Sequence, residues 1–201
     1  MNSTTSTPRR AMCGVCLRSQ ATCICHWAAP VASRAGVLIL QHPMEAHNAK
    51  NSARLLHLCL PGSVMAVGEV FDDSALSGLL AGPRRPVLLY PDTPGDTDVP
   101  PFDPAWMQAP EQLLLVALDA TWRKSRKMLY QNPVLQRLPR LPLRDMPASH
   151  YRIRKAHAPD QLSTLEAVAY ALAQIENENS KYAPLIAAFD NFVSQQASYI
   201  P

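Results

Sequence analysis

The sequence predicts an α/β protein, a mostly parallel sheet with helices on both faces, and three observations carry that prediction. Continuous apolar runs recur along the chain: GVLILQ at 36–41, SVMAV at 63–67, PVLLY at 86–90 and LLLVALD at 113–119. Strands buried on both faces read this way, whereas a half-solvated sheet alternates apolar and polar residues. Helical spacing separates the runs, with Ala53, Leu56 and Leu60 on one stripe and Leu165, Val168, Ala169 and Leu172 on another. Turn-forming residues do the rest, most densely in YPDTPGDTDVPPFDP at 90–104.

Taken in order, residues 1–10 (MNSTTSTPRR) read as a disordered polar tail, because no apolar segment follows the charges as a signal peptide requires. Residues 11–30 form a small cysteine-rich unit, and 31–201 a single α/β domain of ordinary size. After the first strand a helix is expected over about 45–60, and a short helical piece near 74–81 precedes the third strand. A basic helix follows the fourth strand over 121–130. RLPRLPLRDMP at 137–147 is spaced by prolines and therefore extended. LSTLEAVAYALAQIE at 162–176 is a strong helix, and the last helix covers about 182–196.

Composition narrows the function. With 47% hydrophobic and 17% charged residues the chain is globular, and no apolar stretch approaches the roughly 20 residues that span a bilayer. A cytoplasmic protein without a membrane partner is expected. Neither GxGxxG nor GxxxxGK[ST] occurs, which argues against a dinucleotide fold and a phosphate-cradling loop; the absence of HExxH argues against a catalytic metal. The net charge of +3 is unevenly spread: from Thr121 to Lys155 there are ten basic residues and one acid, Asp145. From Ala66 to Asp119 nine acids face only Arg84 and Arg85. Clustered cations of this kind suit a nucleic-acid face, the alternative being a solvated helix and loop.

Four of the five cysteines, Cys13, Cys16, Cys23 and Cys25, lie in CGVCLRSQATCIC. In a reducing compartment such a cluster suits tetrahedral zinc, with His26 able to replace Cys25; a free-thiol cluster is the alternative. Cys59 belongs to the core.

In parallel sheets ligands sit beyond the carboxyl ends of strands. Polar clusters occupy three such ends: His42-Pro43-Met44-Glu45, Tyr90-Pro91-Asp92 and Asp119-Ala120-Thr121-Trp122. Asp119 has two readings, an N-cap for the helix that follows, or a strand-end carboxylate acting as base or orienting group. Trp122 either staples that helix to the sheet or offers a flat face to a base. His42 and Glu45 can cap a helix, while Asn51 and Arg54 share a face of the expected 45–60 helix and suit phosphate or ribose as well as solvent. Arg152 and Arg154 fall on one side of an extended YRIRK, and Ser163 or Thr164 with Glu166 reads first as a helix start.

Together these segments resemble the DTW-domain family, named for an Asp-x-Thr-Trp signature matched by Asp119, Thr121 and Trp122. The ordered series also includes the cysteine cluster, HPxE at 42–45, KNSARLL at 50–56, YPD at 90–92, YRIRK at 151–155 and STLEA at 163–167. The departures are small: Ala120 stands where the family often has glycine, and Ser52 where threonine is common. The resemblance implies a SPOUT-like fold with a C-terminal trefoil knot. It also implies transfer of the 3-amino-3-carboxypropyl group of S-adenosylmethionine to N3 of a tRNA uridine, for this type in the variable loop. It assigns catalysis to Asp119. The cofactor cradle would comprise Leu89, Tyr90, Pro91, Asp92, Leu118, Thr121, Trp122, Leu162, Ser163, Thr164, Leu165 and Glu166. tRNA contact would fall to His42, Glu45, Lys50, Asn51, Arg54, Arg123, Lys124, Arg126, Lys127, Arg152, Arg154 and Lys155. A SPOUT-type RNA methyltransferase and a non-catalytic zinc-containing RNA-binding module are the competing readings.

Overall fold

The computed structural model describes residues 11–92, 99–144, 146–150 and 162–199. Five strands form one parallel sheet: β1 (Gly36–Gln41), β2 (Val64–Val67), β3 (Arg85–Leu89), β4 (Leu113–Asp119) and β5 (Arg140–Leu141), in the order β2-β1-β4-β3-β5. Seven helices accompany them among the described residues: α1 (Pro43–Ala46), α2 (Ala53–Cys59), α3 (Asp73–Leu80), α4 (Trp122–Gln131), α5 (Pro133–Gln136), α6 (Thr164–Glu176) and α7 (Asn179–Ala197).

The central β1 and β4 runs are apolar because successive side chains enter two different cores, whereas the edge strand β2 leaves Val64 and Val67 exposed. Val37, Ile39, Leu115 and Ala117 pack with Leu55 and Leu56 of α2, Leu165 and Leu172 of α6, and Phe189 and Phe192 of α7. Leu38, Leu40 and Val116 pack on the opposite face with Leu76 of α3, Met128 and Leu129 of α4, and Leu135 of α5. Chain direction follows from this division. After β1 the chain leaves across one face through α2, and after β4 it leaves across the other through α4. β1 and β4 are neighbours, so their carboxyl ends diverge and leave a crevice, the place where open α/β sheets bind ligands. Gln41 and Asp119, the last residues of the two strands, sit opposite each other in the register.

The helix expected over 45–60 is two helices. Residues 47–52 break it because two asparagine side chains take over the backbone: Lys50 N–H donates to Asn48 Oδ1 at 3.0 Å, and Ala53 N–H to Asn51 Oδ1 at 2.9 Å. Asn51 therefore precedes α2 and shares no helix face with Arg54. The third strand stops at Leu89 rather than Tyr90, and the extended 137–147 stretch contributes β5, which joins the sheet through Leu88↔Arg140 and Leu89↔Leu141. The last helix starts at Asn179, earlier than expected. Two 3-10 turns, Pro104–Gln108 and Pro110–Gln112, lead into β4.

The cysteine-rich unit packs onto the end of α7. Gln195 accepts from the Trp27 indole at 2.9 Å and donates to Cys23 O, and the Tyr199 hydroxyl donates to Ala21 O. Cys16 and Ile24 insert into the same core as β1 and α7.

Candidate active site at the carboxyl ends of β1 and β4

Asp119 is only 3% exposed, and three distant segments converge on its carboxylate. Oδ2 accepts from Gln41 Nε2 at 2.8 Å and from Asn51 Nδ2 at 2.7 Å, while Oδ1 accepts from Thr164 Oγ1 at 2.6 Å. Gln41 also donates to Asn51 Oδ1, which closes the network on itself. The capping reading of this segment fails: Thr121 holds the N-cap position of α4, and its side chain makes no capping bond. Burial pushes the Asp119 carboxyl above its usual value, opposed by the bonds from Thr164, Gln41 and Asn51; the nearby Glu45 carboxylate adds to the rise. A carboxylate has about four lone-pair directions, and among the described residues Oδ1 accepts one bond, from Thr164.

Thr164 reaches Asp119 because α6 starts beside it. Ser163 Oγ accepts from Glu166 N–H, and Glu166 accepts from Ser163 N–H at 2.7 Å, a reciprocal capping box. The Glu166 side chain is fully buried and also holds the Ser149 hydroxyl and the His150 amide. Its carboxylate is thus occupied by two backbone amides and one hydroxyl. Leu165 lies wholly in the core.

Tyr90, at the end of β3, is buried, and its ring stacks on the Trp122 indole with centroids 5.3 Å apart and planes 12° apart. The Arg140 guanidinium lies over the same Tyr90 ring, 5.2 Å from its centroid. Trp122 is 53% exposed although stacked, which leaves an open aromatic surface beside the crevice. Leu89, Leu118, Thr121, Leu162 and Thr164 are half-buried around it, and Pro91 and Asp92 are exposed.

A family model described as DTW domain matches residues 10–197 of this chain. The chain belongs to the DTW-domain family. It is 29% identical over 177 residues to "tRNA-uridine aminocarboxypropyltransferase 2" of Mus musculus, covering 85% of this chain and 58% of that protein. The protein of the same name from Drosophila melanogaster is 32% identical over 177 residues, covering 84% of this chain and 68% of its own length. That from Macaca fascicularis is 28% identical over 178 residues, 85% of this chain and 58% of the relative. The chain thus spans somewhat over half the length of the mouse and macaque relatives. No solved structure matches it.

The DTW signature residues do three different things. Asp119 gathers the strand ends, Thr121 starts α4, and Trp122 covers Tyr90. Gln41, absent from the residues picked out by sequence, hydrogen-bonds Asp119 directly, as Asn51 and Thr164 do. Its signal was a single polar residue closing an apolar strand next to HPxE.

The basic α4 is partly neutralised by acids that sequence reading placed elsewhere. Lys124 Nζ lies 3.1 Å from the buried Glu45 carboxylate, and Lys127 Nζ lies 2.9 Å from Glu69. Glu69 also contacts His42 Nε2 at 3.2 Å, and Lys127 followed by His42 holds its carboxyl below the usual range. His42 is buried, and its Nδ1 accepts from Met44 N–H as the cap of α1. Arg123, Arg126 and Lys50 are exposed, and Arg54 is half-buried. Arg140 is buried, so it adds nothing to a surface. Arg152, Arg154 and Lys155 lie outside the described residues.

The four knuckle thiols have their sulfurs within 4.8 Å of one another. Cys13 and Cys25 are 3.7 Å apart and Cys16 and Cys23 3.8 Å, matching the roughly 3.8 Å between thiolates about 2.3 Å from a tetrahedral zinc. Amides of Cys16 and Val15 lower the Cys13 thiol to about 6, whereas burial raises Cys25 to about 12. His26 packs against the Trp27 ring at 4.3 Å, and Cys25 takes the fourth position. The residues fit a structural zinc.

Proposed function

We propose that this chain is a tRNA-uridine aminocarboxypropyltransferase using S-adenosylmethionine as donor, with N3 of a variable-loop uridine as acceptor. One observation supports it most: within a DTW-family chain, segments 89–92 and 162–166 both meet 118–122, Tyr90 against Trp122 and Thr164 against Asp119. These are the segments that would cradle the donor in a SPOUT-like knotted site.

The transfer forms a bond from uridine N3 to the donor carbon beside the sulfonium and breaks that carbon–sulfur bond. Neutral methylthioadenosine leaves, and the N3 proton passes to a base. Uridine N3–H is a poor nucleophile, so a positioned acceptor and correct aim carry the rate. Asp119 is assigned the N3–H, which its Oδ1 accepts, and burial makes it a better base than an ordinary aspartate. Gln41, Asn51 and Thr164 fix its orientation. Trp122 supplies the aromatic surface, Arg123 and Arg126 with the YRIRK segment take tRNA phosphates, and the four cysteines hold structural zinc.

The test is incubation of the purified protein with S-adenosylmethionine and unmodified tRNA, followed by nucleoside mass spectrometry. Aminocarboxypropyluridine with equimolar methylthioadenosine is expected. S-adenosylhomocysteine with a methylated nucleoside would establish a methyltransferase instead, and tRNA binding with no product an RNA-binding module.

A further inference from the structure

Arg18 lies inside the cysteine knuckle, between Cys16 and Cys23, but its side chain works outside it. Nη1 donates to Ala49 O at 2.7 Å and Nη2 to Asn51 O at 3.0 Å, and the guanidinium carbon stands 5.0 Å from the centre of the Phe192 ring of α7. Both acceptors belong to the 47–52 segment that interrupts the helix. The same Asn51 whose carbonyl Arg18 holds donates from its carboxamide to Asp119 and accepts from the Ala53 amide at the start of α2.

We propose that Arg18 is a positioning residue that couples the cysteine knuckle to the Asp119 centre through Asn51. The knuckle end of this link is set by the ligand loop. Cys13 N–H donates to Arg18 O at 2.7 Å, Leu17 N–H donates to Cys13 O, and Leu17 adopts a left-handed backbone with φ 61°. The main chain at Arg18 is thus as firmly placed as Cys13 and Cys16 are. The far end is a surface loop, exposed from His47 to Lys50, with no regular secondary structure of its own. Such a segment opens easily unless something outside it holds its carbonyls. A planar fork can bridge two carbonyls while lying on an aromatic ring; an ammonium cannot do all three. Metal bound by the four cysteines therefore tightens the Asp119 network at a distance, with Arg18 as the strut.

The coupling is read by amide exchange in the 47–53 peptide, so it stands whatever the reaction; only its effect on turnover rests on the proposed transferase reading. Arg18→Met keeps the stem over Phe192 and removes both donors. With zinc content unchanged, it is expected to speed exchange in 47–53 about tenfold or more, as loss of two charge-assisted bonds implies, while β4 peptides stay protected. Chelating zinc from the wild type is expected to loosen the same peptide, and chelating it from Arg18→Met to add little there, since interactions on one path are not additive. Arg18→Lys should fall between the two. In the transfer assay Arg18→Met is expected to lower kcat with KM for tRNA little changed. A 47–53 peptide as protected in Arg18→Met or Arg18→Lys as in the wild type overturns the inference, as does a full, additive effect of chelation in the variants. Failure of the transferase reading would show separately, as absence of product from the wild type.

Discussion

At the scale of single residues, Asp119, on which the proposed chemistry turns, is a carboxylate whose solvent has been replaced by three side-chain donors. Asp119→Asn should lower kcat by about 10²-fold or more, the usual share of a positioned base, while tRNA binding persists. Filter binding alongside product assays will check this; undiminished transfer would remove Asp119 from the chemistry. Thr164→Val deletes the 2.6 Å bond to Oδ1. It should cost about 1.5–3 kcal/mol of stability, as for other hydrogen bonds to charged groups, and raise the Asp119 carboxyl further. The acid limb of kcat/KM is therefore expected above pH ~4 in the wild type and higher still in Thr164→Val, as a pH–rate series will show. The sign for stability is opposite to that of a salt-bridged aspartate. Because the folded value is raised, Asp119 favours folding at pH below about 3.9, and that contribution fades as pH climbs through the raised value.

Among the elements, α4 divides its cations between ion pairs within the fold and the proposed RNA face. Lys124 and Lys127 already face Glu45 and Glu69, whereas Arg123 and Arg126 point to solvent. Replacing both arginines by alanine is expected to weaken tRNA binding and reduce the slope of log affinity against log salt by about 1.4–1.8, as loss of two phosphate contacts predicts. A salt titration by fluorescence anisotropy measures that slope, and an unchanged one would move the RNA face off α4. Trp122→Ala uncovers Tyr90 and removes the aromatic surface at the start of the same helix. Trp122→Phe keeps a smaller ring there, so it should retain more activity than the alanine variant when the two are compared for kcat.

Over the whole molecule, opposite exits from neighbouring strands create the crevice, and a cysteine knuckle docked on α7 borders it. Cys25→Ser is expected to abolish stoichiometric zinc and lower the melting temperature, while His26→Ala keeps the metal; elemental analysis and calorimetry test the pair. Metal held by the histidine variant but not the serine one confirms a four-thiolate site, and the reverse result would reassign the fourth ligand to His26. The docking matters because Cys16 and Ile24 lie in the same core as the sheet, so loosening the knuckle reaches the domain behind it.

How much of this could be read in advance depended on the range of the interaction. β1 and β4 were legible because each fills two cores at once and so is apolar end to end, β2 and β3 by their apolar runs although Val64 and Val67 of the edge strand β2 are exposed, and α6 announced itself by its capping box and stripe. The break at 47–52 was not, since Asn48 and Asn51 win against the helix only through side-chain bonds that a periodicity cannot register. β5 was missed as a strand because its two residues pair with β3 across a long stretch of chain. By itself, then, the sequence determined a layered α/β chain of the DTW family, its cysteine cluster and its strand-end aspartate, all of which are local patterns of residue type. Only the tertiary structure decided that Gln41, Asn51 and Thr164 share one carboxylate, that Lys124 and Lys127 face acids, and that Arg18 reaches from the knuckle to that centre. Strand order and helix docking set those distances, and neither is written in the spacing of residues along the chain.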